Sequence, residues 1–272
     1  MIPPQPKEHV SDTPASFSAM YALKDGYNLV MYSMTHRFSP LHVTIHKCMG
    51  VRLILKCGMI MIWNGSLVHC GGKSRTNLDN LHTDDMRLFF YLNPDATYPL
   101  RSKGLIEDSI DLHRKRTNIC YHFEREETKC TKCNKGGCVI DLSHINMDGY
   151  NNGDIIIGDI NDVGWIVVKG NPMNDYVKRN LDAIDETDGW NHIERNTDRM
   201  MKFSPHQSEL NMFMLACSDR TQQFLKSLKT SVLDKHLPSK SYIFGKMNLL
   251  KNAKPIFKDQ LPHSDYVHHL SK

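Results

Sequence analysis

Between Phe17 and Leu92 the apolar residues come in short runs: Tyr27 to Met34, Leu41 to Ile45, Val51 to Leu55, Met59 to Trp63 and Met86 to Leu92. Turn residues such as Asp25-Gly26 and Asn64-Gly65 separate them. Runs of this length suit strands and are too brief for stable helices. A parallel sheet needs a crossover of a dozen or more residues between partners, commonly helical. No helical pattern intervenes here, so the spacing predicts an antiparallel sandwich or barrel.

Beyond this block the pattern changes twice. Residues 102–150 are charged, rich in cysteine and weakly periodic, and read as an insert. Asp154 to Val168 then holds two apolar runs, Ile155 to Ile157 and Trp165 to Val168, joined by an Asp/Asn/Gly turn, which predicts a hairpin. A helical stretch follows. Ser204-Pro205 supplies a cap and a first-turn proline. Leu210, Phe213, Met214, Cys217, Phe224, Leu225, Leu228 and Val232 recur at helical spacing, and Pro238 ends the run. An earlier helix is expected over Tyr176 to Ile184. The final element is a strand carrying His263-Ser264-Asp265.

At 272 residues the chain suits one large domain or a domain with a modest appendage. A net charge of +4 permits nucleic-acid contact without arguing for it. No stretch approaches the apolar length of a membrane span. The opening Met-Ile-Pro-Pro-Gln-Pro lacks the pattern of a signal peptide, so an intracellular place, cytoplasm or nucleus, is expected. Of the eight cysteines, Cys48, Cys57, Cys70 and Cys217 stand singly and read as buried thiols. Cys120, Cys130, Cys133 and Cys138 cluster, which in a reducing compartment points to a metal rather than disulfides.

His263 and Asp265, two positions apart on an extended segment, share a face. One imidazole and one carboxylate so placed, with a second imidazole from elsewhere, make the three-ligand face of a non-haem Fe(II) site with open positions for a co-substrate and O2. His69, shortly after the Asn64-Gly65 turn, is the candidate second imidazole. Arg87 begins the strand Arg-Leu-Phe-Phe-Tyr-Leu. A buried arginine requires a carboxylate partner, and its planar fork binds one in bidentate fashion. An aspartate from a neighbouring loop would serve as well as a 2-oxo acid. Tyr91 shares the face of Arg87 and is placed to add a hydroxyl. A rival pair, His82-Thr83-Asp84, lies in a polar stretch that reads as a solvated loop.

These pieces resemble the Fe(II)/2-oxoglutarate-dependent dioxygenases, in particular members from protists and large viruses. The matching segments are Gln260-Leu-Pro-His263-Ser-Asp265-Tyr266, Ser18 to Gly26, Gly58 to Gly72, Arg87 to Leu92, and Asp154 to Lys169 with the helices after it. In that family the His-x-Asp strand precedes the distal histidine, whereas here it follows. A circular permutation accounts for every piece, since joining Lys272 to Met1 restores the family order; exchange between subunits is the alternative. The resemblance implies an α+β, mainly β fold: a double-stranded β-helix, or jelly roll, with supporting helices and a small zinc-binding insert. Residues 1–101 would form the second half of that core, with the distal histidine and the arginine. Residues 102–150 would be the insert, and residues 151–272 the hairpin, helices and His-x-Asp strand that complete the core.

It also implies iron held by His263, Asp265 and His69, with 2-oxoglutarate as co-substrate on Arg87, where the Tyr91 hydroxyl read from the strand period would add a contact. The reaction would be hydroxylation or demethylation, releasing succinate and CO2. The primary substrate (protein, nucleic acid or small molecule) is not legible.

The cysteine cluster is read from its own spacing. Cys130-x2-Cys133 with Cys138, and Cys120 or His122 as the fourth ligand, fits a closed tetrahedral zinc site. Basic residues around it, among them Arg114, Lys115 and Arg116, allow a second functional class, a non-catalytic module binding nucleic acid or protein. A cupin-like metalloenzyme indifferent to Arg87 is a third.

Overall fold

A computed structural model describes residues 17–37, 50–72, 87–94, 138–170, 191–193, 196–201, 219–237 and 242–252, together with Pro262 and Asp265. Its strands are β1 (Phe17–Ala22), β2 (Tyr27–Tyr32), β3 (Gly50–Leu55), β4 (Met59–Asn64), β5 (His69–Gly71), β6 (Arg87–Pro94), β7 (Cys138–Asp141), β8 (Ile155–Asp159), β9 (Trp165–Lys169), β10 (Asn191–Ile193), β11 (Asn196–Met201) and β12 (Tyr242–Asn252). Among the described residues these form two sheets. The larger runs β10-β11-β12-β6-β1-β4-β9-β8 and the smaller β5-β2-β3-β7. Every pairing is antiparallel except that of β7 with β3.

Side-chain alternation along β1 explains the layering. Phe17, Ala19 and Tyr21 join Ile60, Ile62, Leu88, Phe90 and Leu92 in one cluster. Met20 and Ala22 face the other way, into a cluster with Tyr27, Leu29, Met31, Leu53 and Leu55 of the smaller sheet and Met59, Met61 and Trp63 of β4. The middle of the larger sheet, from β6 through β1 and β4 to β9, is therefore apolar on both faces. Its strands read as continuous hydrophobic runs because neither face meets water there. One face packs on the smaller sheet. The other is covered by Leu228, Val232, Leu233 and Leu237 of a helix, α1 (Asp219–Leu228), which continues through a wider turn at Lys229–Leu233 into Asp234–His236. The helix gives way to extended backbone at Leu237, immediately before Pro238, where a proline disfavours helical geometry in its predecessor.

Two tight turns close the same end of the two sheets. Gly26 and Gly58 both have φ of +87°, a left-handed conformation that glycine adopts without steric cost. The turns are tied together, since the Cys57 N–H donates to Asp25 Oδ1 at 2.7 Å. Residues 138–150, within the span set aside as an insert, belong to the smaller sheet: β7 lies on its edge, Leu142 is buried, and Ile140, Ile145 and Met147 pack on the core between the sheets. Lys56 and Lys169 anchor the following loop through the carbonyls of Ile145, Met147 and Tyr150.

The hairpin expected over 154–168 is β8 and β9. The run Leu41 to Ile45, the helix expected over Tyr176 to Ile184 and the start of the helix at Ser204-Pro205 lie outside the described residues. Among the described residues no helix is long and apolar enough to cross a membrane.

Candidate metal centre

His69 owes its orientation to the turn before it. Asn64 Oδ1 accepts from the Ser66 N–H at 2.9 Å, and the Asn64 carbonyl from the Leu67 N–H at 2.8 Å. Val68 is then held on both sides: its N–H donates to Thr35 Oγ1 at 2.9 Å and its carbonyl accepts from the Tyr32 N–H at 3.0 Å. The next residue, His69, stands opposite Met31 in the β2–β5 register and so shares its inward face. The His69 Nδ1 lies 3.0 Å from the Leu67 carbonyl. A carbonyl only accepts, so Nδ1 carries the hydrogen and Nε2 faces the interior.

Across the interior, Ser18 of β1 and Trp63 of β4 are direct cross-strand partners. Both are almost wholly buried, at 0% and 1% exposure, and both point at one atom from the far end of the sequence. Asp265 Oδ2 accepts from Ser18 Oγ at 2.6 Å and from Trp63 Nε1 at 3.1 Å. Its other oxygen, Oδ1, stands 3.7 Å from His69 Nε2. The two side chains keep only 4% and 9% of their surface exposed. The Trp63 ring is also tilted against the His69 ring, centroids 5.1 Å apart, and meets Phe89 edge-on at 5.5 Å.

The 3.7 Å gap is informative. A proton shared between an imidazole and a carboxylate draws the heavy atoms to about 2.7–2.9 Å. At 3.7 Å, Nε2 and Oδ1 stand farther apart than that, and both atoms face one desolvated space. Each is held from behind, His69 by the Leu67 carbonyl and Asp265 by two donors, so neither turns away. A first-row divalent ion with bonds of about 2.1 Å touches both atoms at once. The donor set, one imidazole nitrogen and one carboxylate oxygen, suits such an ion, and the backing hydrogen bonds are the kind that orient metal ligands. These residues fit a metal.

Arg87 opens β6 and is 1% exposed. Its guanidinium carbon lies 4.3 Å from the centroid of the Tyr27 ring. In the β1–β6 register Arg87 is opposite Ala22, and Tyr91 pairs through its backbone with Ser18. Tyr27 likewise stands four residues before Met31, the partner of His69. Four residues of strand span about 13 Å. Arg87 and Tyr27 thus share one end of the interior, and His69 with Asp265 the other.

Of the remaining sequence-predicted residues, His263 lies outside the described residues, as do Cys120, His122, Cys130, Cys133 and the rival pair His82 and Asp84. Cys138 is exposed at the start of β7, and Cys57 is exposed where a buried thiol was expected, while Cys70 is buried. Asp265 sits at a bend rather than along the expected strand. Among the described residues no group of three His, Cys, Asp or Glu side chains gathers to hold a metal. Sequence reasoning missed Ser18, Trp63 and Tyr27. The available signal was Ser18 itself, a hydroxyl within the otherwise apolar run Phe-Ser-Ala-Met-Tyr-Ala. No protein-family model, curated protein or solved structure matches the chain.

Proposed function

We propose that this chain is an Fe(II)- and 2-oxoglutarate-dependent oxygenase on a circularly permuted jelly roll. The observation that carries the reading is the approach of Asp265 Oδ1 to His69 Nε2, 3.7 Å across a buried interior and 196 positions apart in the chain (265 − 69). The strand order supports it. From β1 to β6 the chain visits the larger and smaller sheets in the order large, small, small, large, small, large. A jelly roll distributes its strands between two facing sheets in a comparable way. β12, the last described strand before the Gln260 to Tyr266 segment, lies beside β6, so the C-terminal part of the chain extends the sheet that the N-terminal part begins.

In this reading His69, Asp265 and His263 would hold the iron. When bound, iron with 2-oxoglutarate and O2 supplies the oxidising equivalents that hydroxylate a C–H bond and release succinate and CO2. The protein binds and orients. Arg87, permanently charged and stacked on Tyr27 at the other end of the interior, would bind the distal carboxylate of the co-substrate through its planar fork. Trp63, Phe89 and the methionines between the sheets exclude water around the site. Hydroxylation and demethylation share this machinery, and the primary substrate is a protein, a nucleic acid or a small molecule.

A structural zinc on Cys130, Cys133 and Cys138, with Cys120 or His122 as the fourth ligand, completes the proposal, and native mass spectrometry should show one zinc lost in Cys133→Ser. The test of the oxygenase itself is succinate release. Folded protein loaded anaerobically with Fe(II), then given 2-oxoglutarate and O2, should form succinate slowly even without a primary substrate. Absence of succinate at every iron loading refutes the proposal.

A further inference from the structure

A carboxylate near a metal can bind through one oxygen or both, and the side chains around Asp265 bear on that choice. Its Oδ2 accepts two hydrogen bonds, from Ser18 Oγ at 2.6 Å and Trp63 Nε1 at 3.1 Å. Its Oδ1 is the atom turned toward His69. The two donors are opposite one another on adjacent strands, so the sheet register sets their spacing before the distant Asp265 arrives. Both are fully buried, and a buried donor that loses its acceptor keeps the cost of its lost hydration, which resists rotation of the carboxylate. Trp63 does a second thing: its ring lies against that of His69. One indole therefore braces both prospective ligands.

We infer that Ser18 and Trp63 are positioning residues that fix Asp265 as a one-oxygen metal ligand, with Oδ2 occupied by their two hydrogens and Oδ1 alone presented to the ion. The inference rests on the iron reading above. It makes the site selective for geometry. A carboxylate free to swing would offer two oxygens to larger ions such as Ca(II), whereas the clamped one favours first-row ions that accept single-oxygen carboxylates beside imidazole.

The test uses the full-length chain and Mn(II), followed by the electron paramagnetic resonance of the free ion. Ser18→Ala removes one donor from a position that alanine also fills. Trp63→Phe removes the N–H and keeps a ring between His69 and Phe89. Each should raise the Mn(II) dissociation constant 10- to 100-fold, the usual effect of deleting a group that orients a ligand. Neither should weaken binding further in an Asp265→Ala background. Ser18→Ala guards against a folding defect in Trp63→Phe, and thermal unfolding of each metal-free variant checks this. Wild-type affinity in both variants, with binding lost in Asp265→Ala, overturns the inference and leaves the metal site standing. Equal losses with and without Asp265 overturn it too, because the two residues would then act by packing. Wild-type protein that binds no Mn(II) removes the iron reading and the inference with it.

Discussion

Replacing Asp265 by asparagine separates a site built for a cation from a buried ion pair. The amide oxygen of the variant keeps both bonds that Oδ2 accepts, from Ser18 and Trp63. That choice turns the amide NH2 toward His69 Nε2, which stands 3.7 Å from the carboxylate oxygen it replaces. Closing the gap to about 3.0 Å gives a neutral hydrogen bond, worth about 1 kcal/mol net. The metal-free variant should therefore be as stable as the native chain or more so, with a melting temperature about 2 °C higher. Metal binding should collapse, since an amide N–H offers no lone pair to an ion. The opposite account has His69 protonated and paired with Asp265. Breaking such a pair strands a buried charge and costs about 3–5 kcal/mol. Urea unfolding of chelator-treated protein, wild type against Asp265→Asn, measures the difference. A loss above about 2 kcal/mol in the variant refutes the reasoning.

Three further predictions follow from other parts of the structure. Arg87→Lys keeps the charge and loses the fork, so 2-oxoglutarate affinity should fall about 100-fold, near 3 kcal/mol, while Mn(II) affinity holds; unchanged co-substrate binding by titration calorimetry argues against Arg87 as the anchor. Gly153 has φ of +81°, and a Cβ there would run into the Ser231 carbonyl of the helix; Gly153→Ala should cost at least about 2 kcal/mol in urea unfolding, and a neutral result would contradict the docking of the helix on the loop before β8. Burial, with Arg37 adding to it and Asp162 opposing, holds His36 below its ordinary value of 6.5. The unfolded chain then takes up a proton there that the folded chain refuses, so stability is lost as pH falls below 6.5, and His36→Gln should flatten that decline between pH 7 and 5.

How much of this was legible in the sequence depends on the residue. β2, β3 and β4 were readable because each is an apolar run bordered by a glycine turn, and the β8–β9 hairpin for the same reason. The end of the helix at Leu237 was readable because Pro238 forbids its continuation. β12 was not, since Tyr-Ile-Phe-Gly-Lys-Met-Asn-Leu-Leu-Lys-Asn shows no clean alternation and its register with β6 shifts between Phe244 and Met247. β5 has three residues, below the length at which periodicity has meaning. β7 hid among charged and cysteine-rich neighbours, and its tie to β3 is a parallel pairing that local pattern does not signal.

The candidate site divides in the same way. His69, Asp265 and Arg87 carry chemistry in their side chains and could be named from motif and resemblance. Ser18 showed only as a hydroxyl in an apolar run, and Trp63 gave no signal at all. Their partner lies 247 and 202 positions away, and only the sheet register brings the two donors together. Tyr27 reads as core, and its place under Arg87 emerges only when both strands fold against one another.

The most direct measurement is an anaerobic Fe(II) titration of the metal-free full-length chain beside His69→Ala and Asp265→Ala. Binding of one Fe(II) per chain in the wild type, with affinity reduced at least 100-fold in each variant, is what the account predicts. Fe(II) bound equally well by all three proteins, or by none, would contradict it.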